Sequence, residues 1–451
     1  MKESDLSRQF VEFEKKNNLF DLTDTNGVYI WDIIRYDLYN KLKWSSDDQP
    51  VIKKTRKNMF RVFLIRFVSL FQFIRDSKKY ENFFYLCSRN VKNGLLFDQN
   101  AFSVINSFDP GVNFLFETFS FENGKLLFNS SFYNFPQFLH RKFYRDKSAF
   151  DYSFILEKIM EEFGVCPLDV KILKTLVRCY YSDLAFFKKL FRRKGIKRVF
   201  VTQNGIQKGL FSAAIELNIP SYEFQHGIVN YTHMAYSYPD IVYKPGQVYL
   251  PNIIFSLSEY WYKDLNLPLV NIHPLGNDFF SEKIADLDFN CNDITIISAN
   301  VFGLQLSSFL LRYIDEPFLR DRKIYFKMHP NQFHEKEYYE IAFKSYANVE
   351  VITNEYSVAA LLSKSQILLT IESTAVYEAL QAGRKVFLLK EGNDIRHKDL
   401  SSNDNIYWVK DKDDLINALN SDFLINPVEF FSPFNKQILK NAFIECETKP
   451  K

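Results

Sequence analysis

The feature that most constrains this chain is a long alternation of short buried strands with helical stretches, running from residue 81 to about residue 390. Residues 82–88 (NFFYLCS) read as a first strand, and runs at 198–203, 221–225, 253–257 and 270–273 follow. A helix over 207–218, punctuated by Gly205 and Pro220, makes 198–225 a βαβ unit. A second series begins at 293–300 and continues through 323–328, 349–352, 366–370 and 385–389. Parallel strands need crossover helices, so each series predicts a parallel sheet covered on both faces. The fold class expected is α/β, with two Rossmann-like domains facing a cleft and their ligand loops beyond the carboxyl ends of the strands. The expected division is a helical N-terminal extension over 1–80, one α/β domain over 81–275, a second over 276–430, and a C-terminal tail over 431–451.

Composition narrows the function classes. With 451 residues the chain has room for two or three domains of roughly 150 residues. Its 47% hydrophobic and 25% charged residues exclude a disordered chain, and its 14 Gly and 15 Pro exclude a collagen-like one. The aromatic share is high, 17%, with 47 Phe and 26 Tyr. Cys87, Cys166, Cys179, Cys291 and Cys446 are scattered without a CxxC pair, which suits a reducing cytoplasm better than a disulfide framework or a zinc site. The first residues lack the apolar stretch of a secretory signal, and no run of about 18 apolar residues predicts a spanning helix.

The net charge of +3 hides a segregation. Residues 53–79 carry nine basic residues and one acid, leaving the rest at −5. Phe and Leu interleave with those cations, as in an interfacial helix against anionic lipid, although a buried helix with basic ends reads equally well. A net acidic body without a nucleic-acid motif argues against DNA or RNA as partner. Before this segment, 31–39 has helical apolar spacing. After it, 99–150 is Phe-rich without a clear element, and 152–194 reads as helical.

Three loops at strand ends hold the candidate chemistry. The first is Gln225-His226-Gly227, where Gly allows close ligand approach and His226 can act as base, acid or phosphate donor near neutral pH. His233, Tyr236, Tyr238 and Asp240 follow closely; the plainer reading is a turn whose His caps the strand. The second is Lys327-Met328-His329-Pro330, in which Pro330 stops the strand and Lys327 and His329 offer positive charge to a phosphate. A solvated strand end accounts for it as well. In the third, 365–389, a buried strand enters Glu372-Ser373-Thr374, then a helix bearing Glu378, then Gly383. Hydroxyls and free N–H groups at a helix start favour an anion, and ordinary N-capping uses the same residues. Glu378 is placed to accept from ribose hydroxyls or to stand as an exposed carboxylate; Glu372 would repel a phosphate and has no assigned role.

The stretch 349–389 resembles the donor half of GT-B glycosyltransferases, where a Ser/Thr–helix–Glu-Ala–Gly unit holds the nucleotide. With Gln-His-Gly and Lys-x-His-Pro added, the set is similar to bacterial capsule and lipopolysaccharide glycosyltransferases. It looks most like those using CMP-activated acidic sugars, the Kdo and sialic acid transferases. The resemblance spans about 195–390, each motif being two or three residues long. It implies a GT-B-like fold, an acceptor on the first domain, a nucleotide-sugar donor on the second, and His329, Ser373 and Thr374 on the CMP phosphate. Sialyltransferases of this type carry an acidic pair before the Gly, where this chain has Gln225-His226. That departure favours a Kdo-transferase-like enzyme and leaves the base open. Teichoic-acid glycerophosphotransferases using CDP-glycerol show a similar His-Gly, His-Pro and Ser arrangement.

The expectation is a metal-independent glycosyltransferase without a bound cofactor, extending a capsule or lipopolysaccharide glycan. Lys327, His329, Pro330, Ser373, Thr374 and Glu378 are the candidate donor-binding residues. His226 is the first candidate base, Glu223 the second and Asp240 the third, with Gln225, Gly227 and His233 touching substrate. Asp286 and Asp288 have the spacing of a metal-binding pair but read as a solvated loop. The alternatives are CDP-polyol phosphotransfer, nucleotide-sugar epimerisation, or a non-catalytic scaffold subunit of a polysaccharide complex. The expected partners are the donor, a lipid-linked or polysaccharide acceptor, and a membrane surface met through 53–79. The expected location is cytoplasmic, peripheral on the inner face of the cytoplasmic membrane.

Overall fold

The computed structural model describes residues 3–44 and 71–448, apart from 72–73, 88–89, 93–94, 110–111, 113, 119–124, 127–133, 146–147, 203–204, 206, 264, 286–291, 299–301, 372, 391–396, 398–399, 401–402 and 422–427. Most of 53–79, the acid pair Asp286 and Asp288, and Glu372 lie outside the described residues. Two compact units emerge: Glu3–Leu275 with Phe434–Lys451, and Gly276–Pro433.

In the first unit the apolar runs become β1 (Asn82–Leu86), β2 (Phe114–Thr118), β3 (Arg198–Thr202), β4 (Ser221–Phe224), β5 (Ile253–Ser256) and β6 (Asn271–Pro274). They pair in parallel in the order β2-β1-β3-β4-β5-β6. Strand β2 lies inside the Phe-rich stretch that carried no assignment.

Side chains alternate between two buried faces, as a covered parallel sheet requires. On one face Phe83, Tyr85, Val199 and Val201 pack on Phe187, Leu190 and Phe191, from the long helix Val170–Lys194, and on Phe211 from Lys208–Glu216. On the other face, Phe84, Phe200, Tyr222 and Phe255 meet Leu439 and Ala442. Paired strands set those rings side by side: Phe84 stacks on Phe200 at 4.5 Å, and Tyr222 on Phe255 at 5.6 Å. Part of the aromatic content forms this cross-strand ladder, whose pairs contribute beyond their buried area.

The helices used below are α1 (Glu3–Lys16), α2 (Trp31–Trp44), α3 (Val170–Lys194), α4 (Lys208–Glu216), α5 (Gly303–Tyr313), α6 (Ala375–Gln381) and α7 (Lys436–Thr448). Two expectations about the termini are corrected. Helices α1 and α2 are not an appendage, because Phe10, Phe13, Trp31 and Ile34 share one core with Ile155, Leu173, Met234 and Tyr249. Residues 434–448 are not a free tail, because α7 covers the ring ladder of the first sheet.

The second unit contains β7 (Asp293–Ile297), β8 (Ile324–Lys327), β9 (Val349–Ile352), β10 (Ser365–Thr370), β11 (Lys385–Leu389) and β12 (Ile406–Val409). All pairs are parallel, in the order β9-β8-β7-β10-β11-β12, with Ile296, Phe326, Leu369 and Phe387 in one core. Strand β12 adds a member to the expected series. Both sheets are Rossmann-like, and the second follows the dinucleotide-fold strand order.

Candidate functional site

In such sheets ligands sit beyond the carboxyl ends of the strands. At the end of β4, Glu223 is fully buried and the Tyr236 hydroxyl donates to its Oε1. The same hydroxyl lies 3.4 Å from His226 Nδ1. A phenol has one proton. Given to Glu223, it leaves the oxygen to accept from Nδ1–H of His226, which places the imidazole lone pair on Nε2. Burial, and then the Glu223 charge, push Tyr236 well above its usual range, so it remains the donor. The half-buried His226 thus ends a Glu–Tyr–His chain that sets its tautomer.

Around it, His233 packs 4.8 Å from Tyr236 and stacks on Tyr36 at 6.1 Å. Gly205, in the turn from β3 to α4, is required there because a Cβ would come within 2.7 Å of the Tyr36 ring. Gln225 clasps the neighbouring loops, its Oε1 accepting from Leu257 N–H at 3.0 Å and its Nε2 donating to Gly227 O at 3.0 Å. Its role is therefore to hold the edge together rather than to reach substrate. Gly227 has an ordinary φ, and a Cβ there would meet nothing within 4 Å, so the turn itself does not need glycine. Tyr262, buried with its ring 5.7 Å from Tyr236, holds a left-handed φ of 67°, backbone strain of a kind that clusters at functional sites. Asp240 is exposed, and no described bond joins it to Glu223 or His226.

The loop bearing His233 and Tyr236 is fixed from the N-terminal helices. Arg35 donates to both Glu14 oxygens, at 2.6 and 2.9 Å, to the Ser237 carbonyl at 2.8 Å, and to the Met234 carbonyl. Burial opposes the Arg35 charge, yet Glu14 holds its pKa above the ordinary value. Beside this pair, Asp32 accepts from Tyr238 at 3.0 Å and from Tyr249 N–H at 2.8 Å, and it pairs with buried Lys208 at 2.9 Å. None of these partners was legible as such in sequence.

In the second unit the strand order reverses at β7, between β8 and β10. The loops carrying His329 and Ser373 leave from the two strands flanking β7, two strand spacings or about 10 Å apart. Ser298, just past β7, accepts from His329 N–H at 2.9 Å and donates to Gln332 at 2.7 Å, which fixes the His329 loop against the sheet. Gly303 opens α5 against this loop; a Cβ there would stand 2.3 Å from the Tyr339 hydroxyl.

Ser373 accepts from Ala375 N–H at 3.2 Å and donates its own N–H to Nε2 of His397 at 3.3 Å. His397 is fully buried and was missed in sequence, because it arrives from a loop 24 residues later. Thr374 is exposed at the N-cap of α6 with no side-chain capping bond, and Glu378 is half-buried in the first turn. Pro330 is exposed where a 3-10 turn begins. Lys327 is a correction: its ammonium donates to the Thr353 and Tyr356 carbonyls, both at 2.8 Å, so it braces a loop rather than offering a free charge to phosphate. Among the described residues no cluster of His, Cys, Asp and Glu forms a metal site, and no helix is long and apolar enough to cross a membrane.

No family model matches this chain, and no curated protein does. Solved structures do. The UDP-GlcNAc 2-epimerase of Methanocaldococcus jannaschii, in complex with UDP-GlcNAc and UDP, is 13% identical with a TM-score of 0.45, over 82% of this chain and 100% of that one. MurG of Acinetobacter baumannii is 11% identical with a TM-score of 0.38, over 82% of this chain and 96% of its own. The wall teichoic acid polymerase TagF with CDPG is 11% identical with a TM-score of 0.36, over 74% and 80%. The fold class is α/β, with two Rossmann-like units, as the strand orders above establish.

Proposed function

We propose that this protein is a glycosyltransferase that moves a sugar from a CMP-linked donor, of Kdo or sialic acid type, to a hydroxyl of a growing capsule or lipopolysaccharide glycan. The observation that carries the reading is the Glu223–Tyr236–His226 chain at the carboxyl edge of the first sheet. A general base needs a lone pair within hydrogen-bond reach of the acceptor hydroxyl, and this arrangement puts one on His226 Nε2. In the step, the acceptor oxygen attacks the anomeric carbon and the bond from that carbon to the phosphate oxygen breaks. CMP leaves with the bonding electrons, and the acceptor proton passes to Nε2. Glu223, acting through Tyr236, then stabilises the imidazolium, as a carboxylate does in a catalytic triad.

On the second unit, His329 and the Ser373 loop are the groups for the departing phosphate. Their backbones are held by Ser298 and His397 before any ligand arrives, and such preorganisation is what stabilises developing charge. Thr374 supplies an exposed hydroxyl, and Glu378 is assigned to the ribose. The charge is met by His329 and N–H groups without a metal, so turnover should survive chelation. The acceptor is lipid-linked or a polysaccharide end at the inner membrane face.

The test is a donor screen with the full chain, read by mass spectrometry on a lipid-linked glycan acceptor. A glycosyl mass gained only with a CMP-sugar, and lost by about a hundredfold or more in His226→Ala and in His329→Ala, is expected. Gain of a phosphopolyol from a CDP-polyol, or epimerisation of a UDP-sugar without acceptor, would overturn it.

A further inference from the structure

The second half of α3 carries Lys188, Lys189, Arg192 and Arg193, and its three- and four-residue spacing places Lys188, Lys189 and Arg192 on one side. That side, with Tyr144 and Tyr181, lines a groove of ≈ 430 Å³ in the first unit. Lys188 is paired with Glu216, whereas Lys189, Arg192 and Arg193 are exposed.

Two further segments bring charge of the same sign to this helix. Arg193 donates to the Ile74 carbonyl at 3.0 Å, Lys79 donates to the Arg193 carbonyl at 2.6 Å, and buried Lys194 pairs with Asp76 at 2.6 Å. Arg75, Lys78 and Lys79 stand exposed beside that junction. From the other side comes the helix Asn134–Phe143, tied to α3 by the Arg141–Asp183 ion pair and by His140 Nδ1 to Ser182 at 2.8 Å. It ends in exposed Lys142 and Phe143.

Apolar side chains protrude among these cations: Phe143 is 72% exposed, Ile74 61%, Phe71 51% and Phe138 46%. Single exposed apolar residues are ordinary, but a cluster rimmed by cations marks an interaction surface. A nucleic-acid duplex would use the cations and leave the protruding Phe and Ile in water. An anionic bilayer uses both.

We propose that this face of the first unit docks on an anionic membrane surface. Lys142, Lys189, Arg192 and Arg193 meet headgroup phosphates while Phe143, Phe138, Phe71 and Ile74 enter the acyl boundary. Each cation held near such a surface strengthens partitioning by roughly fivefold, so removing three weakens it by roughly a hundredfold.

The experiment is sedimentation of the full chain with vesicles of phosphatidylglycerol and phosphatidylcholine, or of phosphatidylcholine alone. Binding to the anionic vesicles only, falling as salt is raised, is expected. The triple variant Lys142→Gln, Lys189→Gln, Arg192→Gln should bind about a hundredfold more weakly, and Phe143→Ser should weaken binding at high and low salt alike. Thermal stabilisation by nucleotide, which reads the fold and the donor site, should be unchanged in both variants. Equal binding to both vesicle types, full-strength binding by the triple variant, or preference for RNA over vesicles would overturn the proposal.

Discussion

Replacing Arg35 by Met tests whether the N-terminal helices are part of the first unit's core and support its functional loop. Arg35 and Glu14 are both fully buried, and the guanidinium makes four described hydrogen bonds, two to Glu14 and two to the carbonyls of Met234 and Ser237. Removing one partner of a buried ion pair strands the other charge and costs about 3–5 kcal/mol. Glu14 keeps only its 2.7 Å bond from Trp31 among the described donors. A domain is stable by about 5–15 kcal/mol, so the loss is a large share of the whole. Urea denaturation followed by fluorescence should show that loss as a lower midpoint at unchanged slope. Adding Glu14→Leu should recover at least about 2 kcal/mol, because no unpaired charge is then left inside. Hydrogen exchange in the single variant should rise over 226–240. A loss below about 1 kcal/mol, or no recovery in the double variant, would refute the buried-pair account.

Two other outcomes follow from the geometry. Tyr236→Phe keeps the ring packing but removes the link between Glu223 and His226; transfer should fall by about a hundredfold in kcat with little change in KM, and an unchanged kcat would remove the chain from the mechanism. Glu355 has a folded pKa of about 2: slight burial works to raise it, but bonds from backbone, Lys336 and Thr353 outweigh that. A depressed carboxylate pKa contributes stability above the unfolded value, near 4.5, and loses it as pH falls toward about 2. Because Glu355 is exposed, Glu355→Gln should cost under about 1 kcal/mol at pH 7 and flatten the acid limb of the second unit's stability between those values.

The strands were legible where a continuous apolar run is bounded by Gly, Pro or polar residues, as at 198–202 and 385–389. Strand β2 was not, because the Phe-rich stretch around it lacks punctuation. Strand β12 follows a long polar segment that carries no periodic signal, and the role of α7 is hidden in sequence because its apolar face matters only once a sheet lies beneath it. The position of His226, His329 and Ser373 beyond strand ends was legible because strand ends can be counted. Their supports were not. The Tyr236 bridge depends on how a loop folds back, and Glu14 and the Met234 carbonyl lie 21 and 199 residues from Arg35. Lys327 shows the opposite error: its charge was read correctly, but two carbonyls already hold it.

In the proposed reaction the second unit takes a CMP-activated donor on His329 and the Ser373 loop. The most direct measurement is thermal unfolding of the full chain with CMP, CDP, UDP, GDP and dTDP in turn. The cytidine nucleotides should stabilise, CMP foremost, by about 2.7 kcal/mol at a hundredfold excess over Kd. The gain should disappear in His329→Ala, whose unfolding without ligand stays cooperative. Stabilisation by UDP or GDP alone, by none of the five, or by CMP undiminished in the variant would contradict it.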